Sequence, residues 1–313
     1  MGSVFQWSVT RVKTFQECRR RYYYRYLLAP LSRTRDKTPE SVQAANLQDL
    51  VGLEAWAGQL VHQMIEETLN QWRWGRAFTE QQALARASKL VRQQHRDSWA
   101  YCAGERESFQ QRPVRLDYHY YKDRGQPKEA IRALEVRILT AISAFFQSDL
   151  AEWLRGLDRA GWLPIDRNAS VNLEDGTQVL VRPDLAFRED GIVQIIDWKT
   201  GRVDTVWSLV QLSCYALYAA QKWEVRPERI QPRIVSLYPR FEEIDIGWTP
   251  DAISAVRLRI DETREEMEAL LTLDENEVLP PIERFELTSE CRACRWCAFR
   301  EMCEGACRVA ERG

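Results

Sequence analysis

The sequence predicts an α/β protein whose helical half comes first, and three observations carry that expectation. Apolar residues recur mostly at threes and fours from position 51 to 157, as in Leu53, Trp56, Leu60, Met64, Ile65 and Leu69. Short strand-like segments follow over 163–247, interrupted by one helical stretch. Among them, QIIDWKTG at 194–201 is an apolar strand that ends on Asp197 and Lys199. Side chains alternate faces along a strand, so these two residues point the same way. A carboxylate and an ammonium aimed at one ligand suit phosphate chemistry.

Taken in order, Ser8 or Thr10 caps a helix through RVKTFQECRRRYYYRYLL, and a polar stretch follows from 32 to about 48. After the helical region, strands are expected over 163–173, 178–187, 192–200, 232–238 and 241–247, with a helix over 207–222 between the third and fourth. Thr249, Pro250 and Asp251 open a further helix, and Ile253, Val256, Ile260, Met267 and Leu270 supply its apolar face. Pro280 and Pro281 then break the chain before a cysteine-rich tail. Four regions result: an N-terminal segment at 1–50, a helical subdomain at 51–160, a strand-bearing core at 161–280 and a tail at 281–313. The stretch from about 80 to 160 carries no recognisable motif.

Composition narrows the class. The 313 residues are 45% apolar, enough to fill a core, and the formal net charge is -2. Any nucleic-acid affinity must therefore arise from a local basic face. No apolar run approaches the roughly 18–20 residues of a spanning helix, and MGSVFQWSVT lacks a secretory apolar core, so a cytoplasmic protein without membrane contact is expected. No GxxxxGK[ST] phosphate loop occurs. Of eight cysteines, five fall between Cys291 and Cys307, which in a reducing compartment suggests metal or iron–sulfur ligation.

The chemistry concentrates in a hairpin. VLVRPDLAF places Asp184 after Pro183, and Glu189, Asp190 and Gly191 turn the chain into the strand bearing Asp197 and Lys199. Such pairing sets Asp184 beside Asp197, and two carboxylates at one point repel unless a hard cation such as Mg2+ or Mn2+ lies between them. The bland alternative makes both aspartates turn residues and Lys199 their salt-bridge partner.

Together these residues resemble the PD-(D/E)XK nucleases, in their RecB-like exonuclease branch. The matching features are Asp197 to Gly201 at the strand end, the hairpin Asp184, Gln211 with Tyr215, and Gly58 with His62, all in the order of that family. The resemblance implies a restriction-endonuclease-like mixed sheet flanked by helices. It also implies a metal held by His62, Asp184, Asp197 and the carbonyl of Trp198, with Lys199 as catalytic lysine. Gln211 and Tyr215, one helical turn apart, would line the site and touch the nucleic-acid backbone. Val181 departs from a glycine frequent three residues before the hairpin Asp, and histidine takes the place of a third acidic ligand, which leaves the metal count open. His95 and His119 lack such context and are expected to be structural.

Cys294, Cys297 and Cys303, with Cys18 near the N-terminus, resemble the ligand set of the iron–sulfur subgroup, which implies a 4Fe-4S cluster joining the two chain ends. Zinc is the competing ion. Cys291 and Cys307 exceed the four needed, and Cys102 and Cys214 are expected to pack inside helices. Arg19, Arg20, Arg21 and Arg25 interleave with Tyr22, Tyr23, Tyr24 and Tyr26, a mixture that suits single-stranded nucleic acid, although an amphipathic helix has the same pattern. The chain looks most like CRISPR-associated adaptation exonucleases and AddB-type nuclease domains. That likeness implies a DNA exonuclease acting on single strands or ends, with a helicase or a CRISPR integrase complex as partner. The alternative is a non-cleaving DNA-end-binding scaffold subunit.

Overall fold

The computed structural model describes residues 5–105, 112–121, 128–166, 168–273 and 277–304, the side chains of Cys291 and Arg292 excepted. Its contacts divide the chain into two compact units, residues 3–50 with 257–313, and residues 51–256. No helix among the described residues is long and apolar enough to cross a membrane.

The 51–256 unit opens with the helices Leu53–Arg73, Glu80–Ala103, Lys128–Phe146 and Asp149–Gly156. Their ends follow local chemistry. Thr79 and Gln82 form a capping box, Ser148 caps the fourth helix, and the second stops at Gly104 in the left-handed region, φ 70°. The apolar stripes meet in one core: Trp56, Leu60 and Met64 face Ala87, Val91, Ile138 and Phe145, joined by Phe187, Ile196 and Trp198 of the sheet. Burying each large apolar side chain of this kind contributes about 1.5–3 kcal/mol.

The sheet is mixed, with its four strands in the order Leu185–Glu189, Ile192–Lys199, Ile230–Ser236, Glu242–Ile244. The first and last pairings are antiparallel and the middle one is parallel. A parallel step needs a crossover, and the Thr205–Lys222 helix, capped by Asp204, supplies it. Ile192–Lys199 is central and buried on both faces except at its ends, which explains its unbroken apolar run. Asp190 (φ 48°) and Gly191 (φ 78°) form the two-residue hairpin loop, the positive dihedrals a primed turn demands. The strand expected over 178–187 is split into Gln178–Leu180 and Leu185–Glu189, because Pro183 has no N–H for a ladder. Of the strand expected over 163–173, the described residues form Ser170–Asn172 alone.

In the other unit Ser8 caps the Val9–Glu17 helix, but that helix does not continue through Cys18 as expected. Cys18 is extended (φ -166°, ψ 107°), and its Sγ accepts from Arg21 N at 3.4 Å as a new helix starts. Arg19–Tyr22 then widens into a π-helix over Tyr23–Leu28. Tyr22, Tyr23 and Tyr24 are buried. Tyr22 packs on Phe15, Tyr23 on Phe285 and Tyr24 on Phe299, with ring centroids 5.4, 5.1 and 5.6 Å apart. Arg20 Nε donates to Phe285 O at 2.9 Å, and Tyr24 Oη to Met302 O at 2.9 Å. The expectation that these rings stack on bases is thus corrected for Tyr22, Tyr23 and Tyr24, which form the core joining the two chain ends. Arg25 remains exposed.

Candidate functional site

Continuing the hairpin register beyond Leu185↔Ile196 brings Asp184 opposite Asp197. The Asp184 carboxylate is fixed at both oxygens: Oδ2 accepts from Trp198 N at 2.8 Å, and Oδ1 lies 2.8 Å from His62 Nδ1. His62 reaches it from the Leu53–Arg73 helix, one turn after Gly58. A Cβ at Gly58 would meet Thr200 Oγ1 at 3.3 Å, so glycine lets that helix press against the end of the central strand. The spacing of Gly58 and His62 therefore has a packing cause.

Lys199 and Asp197 close a ring with the crossover helix. Lys199 Nζ stands 2.7 Å from Asp197 Oδ2 and donates to Gln211 Oε1 at 2.8 Å. Gln211 Nε2 donates to Tyr215 Oη at 2.7 Å, and that hydroxyl lies 3.1 Å from Asp197 Oδ1 and 2.8 Å from Arg182 O. Gln211 and Tyr215 share a face because they are four residues apart. Tyr215 is buried, and its hydroxyl is engaged inside the protein. The Tyr215 hydroxyl thus faces Asp197 and Arg182 and not the solvent, Gln211 is half-buried, and Lys199 and His62 are 27% and 35% exposed. Trp198 is buried and meets Phe145 edge-on.

Burial shapes the titration of this cluster. Asp197 is held above the ordinary carboxylate range, first by burial and then by the charge of Asp184, with Lys199 pulling the other way. For His62 burial is the largest influence and favours the neutral ring. The hydrogen bond and charge of Asp184, with the charge of Asp197, outweigh it, so its pKa lies above the usual imidazole value. Tyr215 is raised well above 10, chiefly by burial, and remains a hydroxyl donor.

A family profile for the PD-(D/E)XK nuclease superfamily matches residues 6–304. The chain belongs to this superfamily. No curated protein matches it significantly. Members of the PD-(D/E)XK superfamily are typically metal-dependent nucleases that use ions such as Mg2+ or Mn2+. Among the described residues, no three His, Cys, Asp or Glu side chains already converge on one metal position. Here His62 and Asp184 are turned onto each other, and Lys199 covers Asp197. The donor types nevertheless suit a hard cation, and among the described residues Asp197 Oδ2 is buried without an aligned hydrogen bond, the Lys199 ammonium being its close partner.

A second cluster lies within the unit formed by the chain ends. Cys18, Cys294, Cys297 and Cys303 line one cavity together with Arg21, Tyr24, Phe299 and Arg300. Burial pushes the Cys297 thiol up to about 11, with Cys18 and Cys303 close enough to add to the shift. Cys307 and the Cys291 side chain lie outside the described residues. Cys214 is buried in the crossover helix, and Cys102 sits near the end of the Glu80–Ala103 helix. His119 is buried, with Nδ1 2.8 Å from Ser98 Oγ and its ring against His95. The Arg182 carbonyl, and the packing of Thr200 against the Gly58 turn, escaped sequence reasoning. Only the Pro183 break and the threonine after Lys199 hinted at them.

Proposed function

We propose that this chain is a divalent-metal-dependent deoxyribonuclease, an exonuclease acting on single strands or DNA ends, in the RecB-like iron–sulfur branch of its superfamily. The observation that carries the reading is the closed ring of Lys199, Gln211, Tyr215 and Asp197, with Asp184 fixed opposite. Simple salt-bridge duty for Lys199 would not need two further groups, the half-buried Gln211 and the buried Tyr215, to hold its geometry.

In this reading His62, Asp184, Asp197 and the carbonyl of Trp198 would hold Mg2+ or Mn2+, which would supply charge neutralisation at the phosphodiester and a more acidic water for attack. Asp184 keeps its orientation through Trp198 N. Lys199, steadied by Gln211, presents its ammonium to the scissile phosphate and stabilises the negative charge that develops there. Tyr215 keeps Asp197 from rotating away.

The same proposal assigns Cys18, Cys294, Cys297 and Cys303 to a 4Fe-4S cluster, supported by their sharing one cavity and by the soft donor set. Such a cluster would tie the chain ends covalently, adding to the aromatic core that already joins them. Action in CRISPR adaptation or in recombination and repair, beside an integrase complex or a helicase in the cytoplasm, follows from the sequence resemblance. Labelled single- and double-stranded DNA incubated with Mn2+ tests the activity: cleavage by the wild type and none by Lys199→Ala is expected. Equal cleavage by both proteins contradicts the assignment.

A further inference from the structure

Arg137 stands on the Lys128–Phe146 helix, in the stretch of sequence without a motif. The last ladder contact at the end of the central strand runs from Leu237 N to Lys199 O at 2.8 Å. The next carbonyl, Thr200 O, belongs to a buried residue. Arg137 takes it with two arms of its guanidinium, Nε at 3.2 Å and Nη2 at 2.5 Å. Its third arm pairs with Glu54 on the helix that carries His62, and the guanidinium lies 5.1 Å from the Tyr238 ring centroid, just past the neighbouring strand.

One planar group therefore touches the end of the strand that bears Lys199, the helix that bears His62 and the segment just past the neighbouring strand. Glu54 is 75% exposed, so that ion pair alone adds little. The fork on a buried carbonyl is the stronger contact, since charged donors bond about twice as strongly as neutral ones and a fork fixes direction. Thr200 follows Lys199 directly, so the carbonyl that Arg137 grips fixes the Thr200–Gly201 peptide, the unit next to those of the lysine.

We infer that Arg137 is a positioning residue for Lys199, clamping the strand end so that the ammonium stays between Asp197 and Gln211. The inference rests on the nuclease reading, and two readouts separate the fates of both. In Arg137→Gln, kcat for DNA cleavage falls about tenfold or more while KM for DNA stays within about twofold, the pattern of a displaced catalytic group. Arg137→Lys, which keeps one donor, recovers part of the rate, and added ethylguanidinium raises the rate of Arg137→Gly. Independently of activity, hydrogen exchange in Arg137→Gln accelerates at residues 199–202 and not at 192–196.

A raised KM with unchanged kcat shows that Arg137 binds DNA directly and overturns the inference. So does wild-type exchange at 199–202. If the wild type does not cleave DNA, the nuclease reading fails, and faster exchange at 199–202 alone decides whether Arg137 holds the strand end. If Arg137→Gln does not fold, Arg137→Lys takes its place in both measurements.

Discussion

Tyr215→Phe removes one oxygen atom and leaves the ring volume in place. The hydroxyl accepts from Gln211 Nε2 and stands 2.8 Å from Arg182 O and 3.1 Å from Asp197 Oδ1. With a single proton it serves one of those acceptors fully, so its loss strands roughly one buried acceptor and loosens the Gln211 amide. An unsatisfied buried polar group costs about 1–3 kcal/mol. In a unit the size of 51–256, each kcal/mol lowers Tm by about 2–4 °C. The expected shift is a few degrees to about 10 °C by differential scanning fluorimetry.

Catalysis should suffer more than stability, because the ring transmits its constraint to Lys199. Gln211→Ala and Tyr215→Phe each lower the single-turnover rate about tenfold at saturating Mn2+. The double variant is hardly slower than either, a coupling of about 1 kcal/mol or more, as expected for groups acting as one unit. Rates that add to within about 0.5 kcal/mol, or a Tyr215→Phe enzyme as fast as the wild type, would refute the ring as a functional unit.

Other expectations are as definite. Cys18→Ser purified without oxygen contains less iron and melts lower than the wild type. It still folds, because Tyr23 on Phe285 and Tyr24 on Phe299 join the chain ends without metal; Cys102→Ser keeps its iron, and a full cluster in Cys18→Ser would place all ligands in the tail. Burial first, then His95, depresses His119 from 6.5 to about 4. The unfolded ring gains a proton that the native ring refuses, so its stabilisation is complete above pH 6.5 and declines as pH falls towards 4. By pH 5 the loss is about 2 kcal/mol, and His119→Gln should flatten the decline of Tm between pH 7 and 5. Gly58→Leu forces the His62 helix off Thr200 and costs about 1–3 kcal/mol together with cleavage, whereas Gly58→Ala is better tolerated, since a gain in helix propensity of about 1 kcal/mol offsets the tight contact. Melting curves and cleavage assays on the two variants check this.

Local chemistry made much of the architecture legible. The apolar run before Asp197, the Asp190–Gly191 turn and the spacing of Gln211 and Tyr215 each follow from a period of two or of four, so the hairpin and the helix face could be read directly. What was missed depends on distant partners. Tyr22, Tyr23 and Tyr24 lie between arginines as on a nucleic-acid surface, and for Tyr23 and Tyr24 it is Phe285 and Phe299, far along the chain, that pack against the rings. Cys18 ends a helix that propensity alone would continue. Arg137 resembles any surface arginine of an amphipathic helix until Thr200 O is placed beside it. Pro183 was visible all along, and its missing N–H should have divided the strand over 178–187.

The central claim is that Asp184, Asp197 and Lys199 form a metal-dependent phosphodiester-cleaving centre. Single-turnover cleavage of end-labelled single-stranded DNA by the wild type and by the Asp184→Ala/Asp197→Ala double variant, each with Mn2+ and then with excess chelator, tests it most directly. The account predicts cleavage by the wild type that the chelator abolishes, and none by the double variant at any Mn2+ concentration although it still melts cooperatively. Cleavage by the double variant at the wild-type rate, or a wild-type rate indifferent to the chelator, would contradict it.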